Sequence, residues 1–388
     1  MNRRNLLAAG VAALALSASF APVRAEDPIK IGLVLPLTGP FTSTGKEIVA
    51  AAELYNKEAG ASVAGRKVEL VIKDDGGVPD VTKRLVQEMI VNDHVTAVAG
   101  FGLTPLALAA APVATQGQTP MVVMAAATSI ITERSPFIVR SSQVVPQIAG
   151  PFGTWAAKQG MKKVVTIVTD YGPGHDVEKW FSQTFKEGGG TVENMRVPLQ
   201  NPDFSPFLQR AADAKPDAVL VFVPSGVGAQ FMKQFVERGL DKSGIRLIAT
   251  GDLTDDELLD RIGDVALGTV TAHFYSGAHP SEKNKAFTAA FEKANPGLRP
   301  NFMAVGGYDG MHVLYEGLKK TKGAGGQALV DAMKGLAWES PRGPVSIDPE
   351  TRDIVQNIYI RKVEKKDGHY YNIEFETIPN VKDPAKAK

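Results

Sequence analysis

Short, almost continuously apolar runs recur along this chain, and each is followed by a longer amphipathic stretch with helical spacing. A strand that is apolar on both faces has to be buried on both faces, which favours a parallel sheet covered by helices on each side. The alternation therefore predicts the α/β class. The clearest apolar runs are residues 31–35, 97–101, 121–124, 164–168 and 218–223.

The strand–helix pattern starts afresh at about residue 162, so the chain has two similar halves. Its 388 residues are also more than one hydrophobic core usually sustains. We therefore predict two doubly wound parallel-sheet lobes. Thr254 and Glu257 fit a capping box, which predicts a helix that begins at Thr254. The turn at residues 366–369 predicts a hairpin, whose strands are expected to tie the lobes together.

The first 25 residues have the pattern of a secretory signal. Arg3 and Arg4 precede an apolar stretch over residues 6–20, and small residues precede a predicted cleavage after Ala25. The arginine pair leaves both a twin-arginine route and ordinary secretion open. No later stretch has the length and hydropathy of a membrane span. We expect an exported, periplasmic protein.

Charge and cysteine content exclude several classes of function. The chain has 43 basic and 42 acidic residues, and removal of the three arginines of the leader leaves 40 basic residues. Such a balance does not predict a nucleic-acid partner or an anionic membrane surface. Cysteine is absent, which excludes a thiol nucleophile and a thiolate metal site.

Motifs of catalysis are incomplete in this chain. The six histidines have no metal-ligand spacing, and Val223 replaces the first glycine of a nucleophile elbow around Ser225. Gly39 and Gly45 are one residue too far apart for a phosphate-binding loop, and Glu47 stands where that loop needs Ser or Thr. We predict no enzyme activity, no cofactor and no metal.

The predicted strand ends instead suggest a binding cleft. In open parallel sheets, ligands bind beyond the carboxyl ends of the strands, close to helix N-termini. The strand over residues 121–124 ends in three alanines, Thr128 and Ser129. Small side chains let a ligand approach the main chain, and hydroxyls and free amides suit a carboxylate. We predict a small apolar carboxylate as the ligand.

These strand ends resemble the type I periplasmic solute-binding proteins of the leucine/isoleucine/valine-binding family. The resemblance extends from about Ile29 to the C-terminal strands, nearly the whole chain after the leader. Each motif alone is weak, but their order and spacing together are specific. The motifs are IGLVLPLTGPFTSTG, KDDGGVPD, AGFGLTPLALAAAPVA, AAATS, TDYGPG and PDAVLVFVPS.

The resemblance implies two lobes joined by three crossing segments, near residues 143, 275 and 346. The ligand is expected to be enclosed when the lobes close, and the protein is expected to be a monomer that delivers it to a membrane ABC permease. The expected division is lobe 1 at residues 26–142 and 275–345, and lobe 2 at residues 143–274 and 346–388.

The resemblance also implies roles for individual residues. Thr104 falls where a hydroxyl receives the ligand carboxylate, Ala126 where main chain contacts the ligand, and Thr128 where a second hydroxyl contacts the α-substituents. Tyr171 matches an aromatic residue that closes from the opposite lobe. Asp252 matches the acid that receives an amino group.

Two positions depart from the family pattern, which bears on side-chain specificity. Thr44 stands where an aromatic residue often lines the pocket, and Pro224-Ser225 occupies a place where tyrosine is common. Ser225 is kept as a candidate ligand contact. Other aromatic residues are expected to supply the pocket wall: Phe41, Tyr275 and Phe302.

Structural alternatives stay open for several of these residues. Thr104, which precedes Pro105, and Thr128 also suit helix caps. Asp252 also suits a turn. If Asp252 faces the ligand, it can receive an ammonium group, accept a hydrogen bond from a ligand hydroxyl, or pair with Arg246 or another cation.

The predicted function is therefore the ligand-binding component of a periplasmic ABC importer. Branched-chain amino acids and aromatic acids such as benzoate derivatives are the leading ligands. The alternative is a ligand-sensing domain of the same fold that acts in signalling. A tethered receptor would need a second membrane segment or a lipidated cysteine, and a cytoplasmic regulator would lack the leader.

Overall fold

A computed structural model describes residues 27–387, so the predicted leader and its cleavage site lie outside the described residues. The β-strands are Ile29–Leu35 (β1), Ser62–Val63 (β2), Arg66–Asp74 (β3), Ala97–Gly100 (β4), Met121–Val123 (β5), Ile138–Arg140 (β6), Lys163–Thr169 (β7), Thr191–Val197 (β8), Ala218–Phe222 (β9), Arg246–Thr250 (β10), Val270–His273 (β11), Ala337–Ser340 (β12), Gly343–Ile347 (β13), Ile354–Lys366 (β14) and His369–Val381 (β15).

The helices alternate with the strands along most of the chain, as the sequence pattern predicted. They are Thr42–Glu58 (α1), Pro79–Val91 (α2), Thr104–Gln116 (α3), Val145–Lys158 (α4), Gly172–Glu187 (α5), Ser205–Ala214 (α6), Gly228–Glu237 (α7), Leu259–Ile262 (α8), Glu282–Ala294 (α9), Phe302–Lys320 (α10) and Gly326–Met333 (α11).

The first sheet has six strands in the order β2-β3-β1-β4-β5-β6. β1 pairs in parallel with both β3 and β4, so the strand order reverses on either side of β1. Only the short β2 runs antiparallel, at the edge. The apolar runs of β4 and β5 are fully buried, as expected for strands covered on both faces.

The second sheet follows the order β12-β13-β14-β11-β10-β9-β7-β8, and β15 pairs with β14 beside this path. Strands β7 to β11 are parallel, whereas β14 runs antiparallel to β11. The predicted fold class, two doubly wound lobes, is confirmed. The second sheet is mixed because the C-terminal strands extend it.

The predicted hairpin between β14 and β15 is confirmed. Lys366 pairs with His369, and the two residues between them, Asp367 and Gly368, have positive φ angles of 51° and 86°. Positive φ at both central positions is typical of a type I′ turn, which suits the right-handed twist of the strands.

The predicted helix start at Thr254 is wrong. A short 3-10 turn ends at Thr254, and α8 begins only at Leu259. The Thr254 hydroxyl donates to Asn372 in β15 at 2.7 Å, so the partner expected from a capping box is not used. The Glu257 N–H is instead capped by Asp255 Oδ1 at 3.0 Å. A contact with a strand 118 residues away overrode the local signal.

Two buried arginines join the segments that pass between the sheets. Arg140, at the end of β6, contacts Asp353 at 3.1 Å, just before β14. Arg342 contacts Asp309 in α10 at 2.8 Å and donates to the carbonyl of Ser142 at 3.2 Å. A buried guanidinium group destabilises the folded state unless its charge and its N–H groups have partners. These contacts therefore hold the crossing segments in one arrangement.

The division of the chain into lobes stays a proposal. In the structure, β12 and β13 continue the path of the second sheet, although Trp338 in β12 donates to Asp309 of α10 at 2.9 Å. The strand pair therefore lies where the two lobes meet.

Within residues 27–387, no helix is long and apolar enough to cross a membrane. The same residues contain no group of three or more histidine or acidic side chains arranged to hold a metal ion.

Candidate functional site

A narrow cleft with a free volume of about 20 Å³ lies between the two sheets, at the carboxyl ends of their parallel strands. Residues from both halves of the chain line it, together with the segment that follows β6. The lining residues are Thr44, Gly102, Leu103, Thr104, Ala125, Ala126, Ala127, Gln143, Tyr171, Pro173, Phe222, Pro224, Ser225, Asp252 and Met303.

The first lobe presents a helix N-terminus and a strip of small residues to the cleft. α3 begins at Thr104, whose hydroxyl lies 2.8 Å from that of Thr128. The N–H of Ala126 donates to the carbonyl of Phe101 at 3.0 Å. This bond holds the loop at residues 125–127 against the end of β4. Small side chains at residues 125–127 leave the cleft floor open to the main chain.

The second lobe supplies an aromatic wall. The ring of Tyr171, which directly precedes α5, stacks on Phe222 with centroids 6.0 Å apart and planes 20° from parallel. Burial, with Asp252 nearby, raises the pKa of the Tyr171 phenol well above its usual value. The phenol is therefore neutral and can donate a hydrogen bond or accept one.

The starts of α3 and α5 meet across the cleft. A Cβ atom added at Gly172, the first residue of α5, would lie 2.6 Å from Thr128 Oγ1 and 3.4 Å from Thr104 Cγ2. The first N–H groups of a helix have no partner within it and carry partial positive charge. Two such helix ends, together with the hydroxyls beside them, favour an anion between the lobes.

Asp252 is the acidic residue of the cleft lining. Its carboxyl is 6% exposed and accepts a hydrogen bond from the Thr250 hydroxyl at 3.0 Å. Burial raises its pKa to about 6, while Thr250 and the charge of Arg361 lower it. At neutral pH the carboxylate is therefore largely ionised, and it carries a modest desolvation cost.

Arg361 in β14 is a buried cation near Asp252 that the sequence interpretation missed; it pairs with Asp256 at 3.9 Å, and its charge also lowers the pKa of Asp252. A Cβ atom added at Gly251 would overlap Arg361 Nη2, which places the guanidinium directly behind the residue that precedes Asp252. Arg361 also donates to the Thr271 hydroxyl at 3.1 Å. Arg246, the cation named from the sequence, is exposed. Only strand pairing between β11 and β14 brings Arg361 to this place.

Ser225 lines the cleft, but its hydroxyl is already hydrogen-bonded to the Asp255 carboxyl group. Asn301 Nδ2 donates to both oxygens of Asp255, at 2.9 and 3.0 Å. Burial raises the pKa of Asp255 to about 8, so this carboxyl is largely protonated at neutral pH. Ser225 therefore shares its hydroxyl with Asp255, and only part of its hydrogen-bonding capacity is left for a ligand.

Three predicted aromatic wall residues lie outside the cleft lining. Phe41 packs with Leu103 and Leu106 in a small buried cluster. The Tyr275 hydroxyl donates to Asn284 Oδ1 at 2.9 Å, and its ring is fully buried. Phe302 packs edge-on against His273, with centroids 4.3 Å apart. The structure gives these rings packing roles, and Phe222 is the aromatic partner of Tyr171 instead.

Several residues of the cleft lining were not predicted from the sequence to contact the ligand. Phe222 is the last residue of β9, so the rule that ligands bind at strand ends pointed to its position but not to its ring. Gln143 lies in the segment that joins β6 to α4, and Met303 lies in the first turn of α10. Thr44 lines the cleft at the position that departs from the family pattern.

The lobes are in direct contact around the cleft. The N–H of Ser129 donates to Asp176 in α5 at 3.1 Å, and the hydroxyl of Ser43 in α1 donates to Glu257 at 2.9 Å. These bonds flank the cleft and join the two halves of the chain. The structure is therefore a closed arrangement of the lobes.

Comparison with known proteins agrees with this architecture. A family model described as periplasmic binding protein matches residues 28–369. The Leu/Ile/Val-binding protein homolog 6 of Brucella melitensis biotype 1 is 44% identical over 391 aligned residues, which cover 99% of each chain.

Solved structures of solute-binding proteins are also similar. The first is the solute-binding protein of an ABC transporter from Rhodopseudomonas palustris BisB5, solved in complex with 3,4-dihydroxybenzoic acid. It is 62% identical to this chain and has a TM-score of 0.91, and the match covers 93% of this chain and 100% of that chain. Another, from Rhodopseudomonas palustris HaA2 with p-hydroxybenzoic acid, is 39% identical with a TM-score of 0.90 and the same coverage.

Two α/β lobes that enclose a cleft at their strand ends are the architecture of the solute-binding proteins to which this chain is similar. This chain belongs to the periplasmic binding protein family, in the leucine/isoleucine/valine-binding group that the sequence motifs indicated. The predicted class is confirmed, and these relatives give no support to the signalling alternative. The family and fold are those of solute-binding proteins.

Proposed function

We propose that this protein captures a hydroxylated benzoate in the periplasm and delivers it to a membrane ABC permease, with 3,4-dihydroxybenzoate and 4-hydroxybenzoate as the first candidates. The observation that carries the proposal is the similarity, at 62% identity over 93% of the chain, to a solute-binding protein solved with 3,4-dihydroxybenzoic acid. The relative solved with p-hydroxybenzoic acid supports the same class of ligand.

The chemistry of the cleft suits each part of such a ligand. The ligand carboxylate is expected between the N-termini of α3 and α5, where Thr104 and Thr128 add hydroxyls and the small side chain of Ala126 leaves room for it. The ring is expected beside Tyr171 and its stacked partner Phe222, since aromatic pairs prefer offset-stacked or edge-on contacts.

Asp252 is proposed as the partner of a ring hydroxyl. A buried carboxylate without a cation would call for an ammonium group on the ligand, because isolated buried charge is costly. Arg361, which pairs with Asp256, also lies close enough to lower the pKa of Asp252 and so supplies part of the positive charge that this carboxylate needs. The remaining capacity of the carboxylate is that of a strong hydrogen-bond acceptor, which a phenolic O–H satisfies without adding charge.

Ligand capture is proposed to stabilise the closed arrangement. Thr104, Ala126 and Thr128 lie on one lobe, whereas Tyr171 and Asp252 lie on the other. A ligand that contacts both sets favours the state in which the lobes meet, and a permease that docks on both lobes can then distinguish loaded from unloaded protein. We expect a monomer to be sufficient for this role.

A branched-chain amino acid is the second candidate ligand. The curated relatives at 44% identity are named as Leu/Ile/Val-binding protein homologues. In this alternative Asp252 receives the ligand ammonium group, as the family resemblance implies.

Isothermal titration calorimetry on unfolded-and-refolded, ligand-free protein separates the two candidates. The panel contains 3,4-dihydroxybenzoate, 4-hydroxybenzoate, benzoate, leucine, isoleucine and valine. We expect the hydroxylated benzoates to bind at least about tenfold more tightly than benzoate, and the amino acids not to bind, because a polar partner left unpaired is costly. Binding of leucine without binding of any benzoate would overturn the proposal.

Export is proposed to proceed by cleavage after Ala25. N-terminal sequencing of protein recovered from a periplasmic fraction is expected to begin at Glu26. A first residue at another position, or recovery only from the cytoplasm, would contradict this part of the proposal.

A further inference from the structure

The side-chain oxygen of Gln143 is a buried acceptor without a partner. Gln143 is 4% exposed and lines the cleft between the lobes. Its Oε1 meets no hydrogen-bond donor among residues 27–387. A buried amide oxygen without a donor costs more than a satisfied one, so a protein rarely keeps such a group without a reason.

The backbone that carries this amide is held firmly. The Gln143 carbonyl accepts from Arg140 Nη1 at 3.2 Å, and the carbonyl of Ser142 accepts from Arg342 Nη1 at 3.2 Å. Arg140 is itself fixed by Asp353 at 3.1 Å. Two buried guanidinium groups therefore fix the segment, while the side-chain oxygen of this cleft-lining residue has no partner within residues 27–387.

Asp252 and Gln143 are two hydrogen-bond acceptors of different kinds in the cleft lining. Asp252 comes from the second lobe, and its pKa of about 6 makes it largely ionised at neutral pH. Gln143 is neutral and comes from the segment that crosses between the lobes. The cleft can therefore receive two separate donors from one ligand, and the amide receives its donor without a change of charge.

We infer that Gln143 determines specificity: its side-chain oxygen accepts a hydrogen bond from a ring hydroxyl other than the one that Asp252 receives. The inference rests on the proposed function and refines it, since it assigns the second hydroxyl of a dihydroxybenzoate. Gln143 thereby distinguishes a dihydroxylated acid from a monohydroxylated one. It also places a ligand contact on a segment that joins the lobes.

Calorimetry of the wild-type protein and Gln143→Met tests this inference with benzoate, 4-hydroxybenzoate, 3-hydroxybenzoate and 3,4-dihydroxybenzoate. Methionine keeps the length of the side chain and removes the acceptor. We expect the variant to lose at least about tenfold in affinity for 3,4-dihydroxybenzoate and to bind benzoate within about threefold of wild type. Gln159→Met, at an exposed position after α4, is the matched control and is expected to change neither.

The outcomes distinguish a failure of the role inferred for Gln143 from a failure of the proposed function. An equal loss for all four ligands would mean that Gln143 only supports the cleft, and no loss for any would mean that its oxygen is not used; either overturns the inference. A wild-type protein that binds leucine but none of the four acids overturns the proposed function instead. The thermal midpoint of the ligand-free variant reports whether it folds.

A comparison of ligands needs no variant. In 4-hydroxy-3-methylbenzoate a methyl group of similar size replaces the second hydroxyl. Wild-type protein is expected to prefer 3,4-dihydroxybenzoate over this acid by at least about tenfold. Equal affinity would show that the cleft has no acceptor for the second hydroxyl and would overturn the inference even if Gln143→Met does not fold.

Discussion

The N–H of Ser129 donates a hydrogen bond to Asp176 Oδ2 at 3.1 Å, and this bond joins the loop after β5 to helix α5 of the opposite lobe. Burial raises the pKa of the Asp176 carboxyl, and the bond from Ser129 acts against that rise. Because the bond joins the two lobes, it is lost when they separate. It therefore stabilises the closed arrangement selectively.

Replacement of Asp176 by alanine is expected to weaken ligand binding by about 5- to 10-fold, since one such hydrogen bond contributes about 1 kcal/mol. The loss is expected in a faster dissociation rate, which stopped-flow fluorescence can measure. Asp213→Ala, an exposed aspartate in α6 of the same lobe, is the control and is expected to bind as wild type. An unchanged dissociation rate in Asp176→Ala would show that this bond does not hold the lobes together.

Gly172 is expected to tolerate no side chain in the closed arrangement. A Cβ atom there would lie 2.6 Å from Thr128 Oγ1, across the cleft. Overpacking of this kind costs about 1–3 kcal/mol, which corresponds to about 5- to 150-fold in affinity. Gly172→Ala is therefore expected to bind ligand more weakly, while the thermal midpoint of the free protein, which can open, changes little.

Gly150→Ala is the matched control for this glycine. It lies inside α4, and its added Cβ atom would meet only Thr184 Cγ2, at 3.9 Å. Calorimetry is expected to give this variant the wild-type affinity. Equal affinities for the two alanine variants would contradict the idea that lobe closure requires the space at Gly172.

Asp252→Asn is expected to discriminate between the two candidate ligands. For a hydroxylated benzoate the variant should lose about tenfold in affinity at about pH 8, and for benzoate it should lose little, because only the phenolic O–H uses the carboxylate. For an amino acid the loss should be far larger, since the ammonium group would lose its counter-charge.

The pH dependence of the wild-type protein provides a second measurement at Asp252. Its pKa is raised to about 6, so the carboxylate becomes protonated as the pH falls below that value. The affinity for a hydroxylated benzoate is expected to decrease between about pH 7 and about pH 5, and Asp252→Asn should remove most of this dependence. An equal slope in both proteins would assign the titration to another group.

The carboxyl of Asp255 is expected to make the protein less stable at alkaline pH. Its folded-state pKa is about 8, against 3.8 for an ordinary aspartate, mainly because of burial. The folded protein therefore binds this proton more tightly than the unfolded chain does. The resulting stability is fully present below about pH 4 and is lost as the pH rises to about 8. Glu47, buried nearby, has a raised pKa for the same reason.

Thermal denaturation of Asp255→Asn across the pH range tests this linkage. The difference in midpoint between the variant and the wild type is expected to shift in favour of the variant as the pH rises from about 5 to about 8. Asp213→Asn, at an exposed site, should show no such trend. A constant difference for Asp255→Asn would mean that its proton is not retained in the folded protein.

Arg342 is expected to be a major determinant of stability. Its guanidinium contacts Asp309 at 2.8 Å and donates to Gln356 Oε1 at 3.0 Å, with both charged side chains fully buried. Arg342→Met would leave a buried carboxylate without its cation, which costs about 3–5 kcal/mol. Urea denaturation is expected to show this loss.

Arg210→Met serves as the control for Arg342, because Arg210 pairs with Glu193 at 3.4 Å on the surface. Such exposed pairs contribute about 0–1 kcal/mol. If both variants unfold at the same urea concentration, the buried pair is not the source of stability that its geometry implies.

The sequence alone was sufficient to predict most of the strands and helices and the layers in which they pack. Continuous apolar runs at β4 and β5 predicted buried parallel strands, and both are fully buried. The turn at Asp367-Gly368 predicted the final hairpin, because its backbone preference is local. Strand-end loops also indicated where a cleft would lie, since that rule depends only on the direction of parallel strands.

Only the tertiary structure determined which side chains contact one another in and around that cleft. An antiparallel strand pair that no local pattern specifies brings Arg361 to Asp256 and close enough to Asp252 to lower its pKa. Thr254 bonds to Asn372 rather than capping a helix. Local spacing determines strands, helices and turns because it acts within a few residues. Charge balance and burial depend on contacts between residues about a hundred positions apart, so only the folded chain determines them.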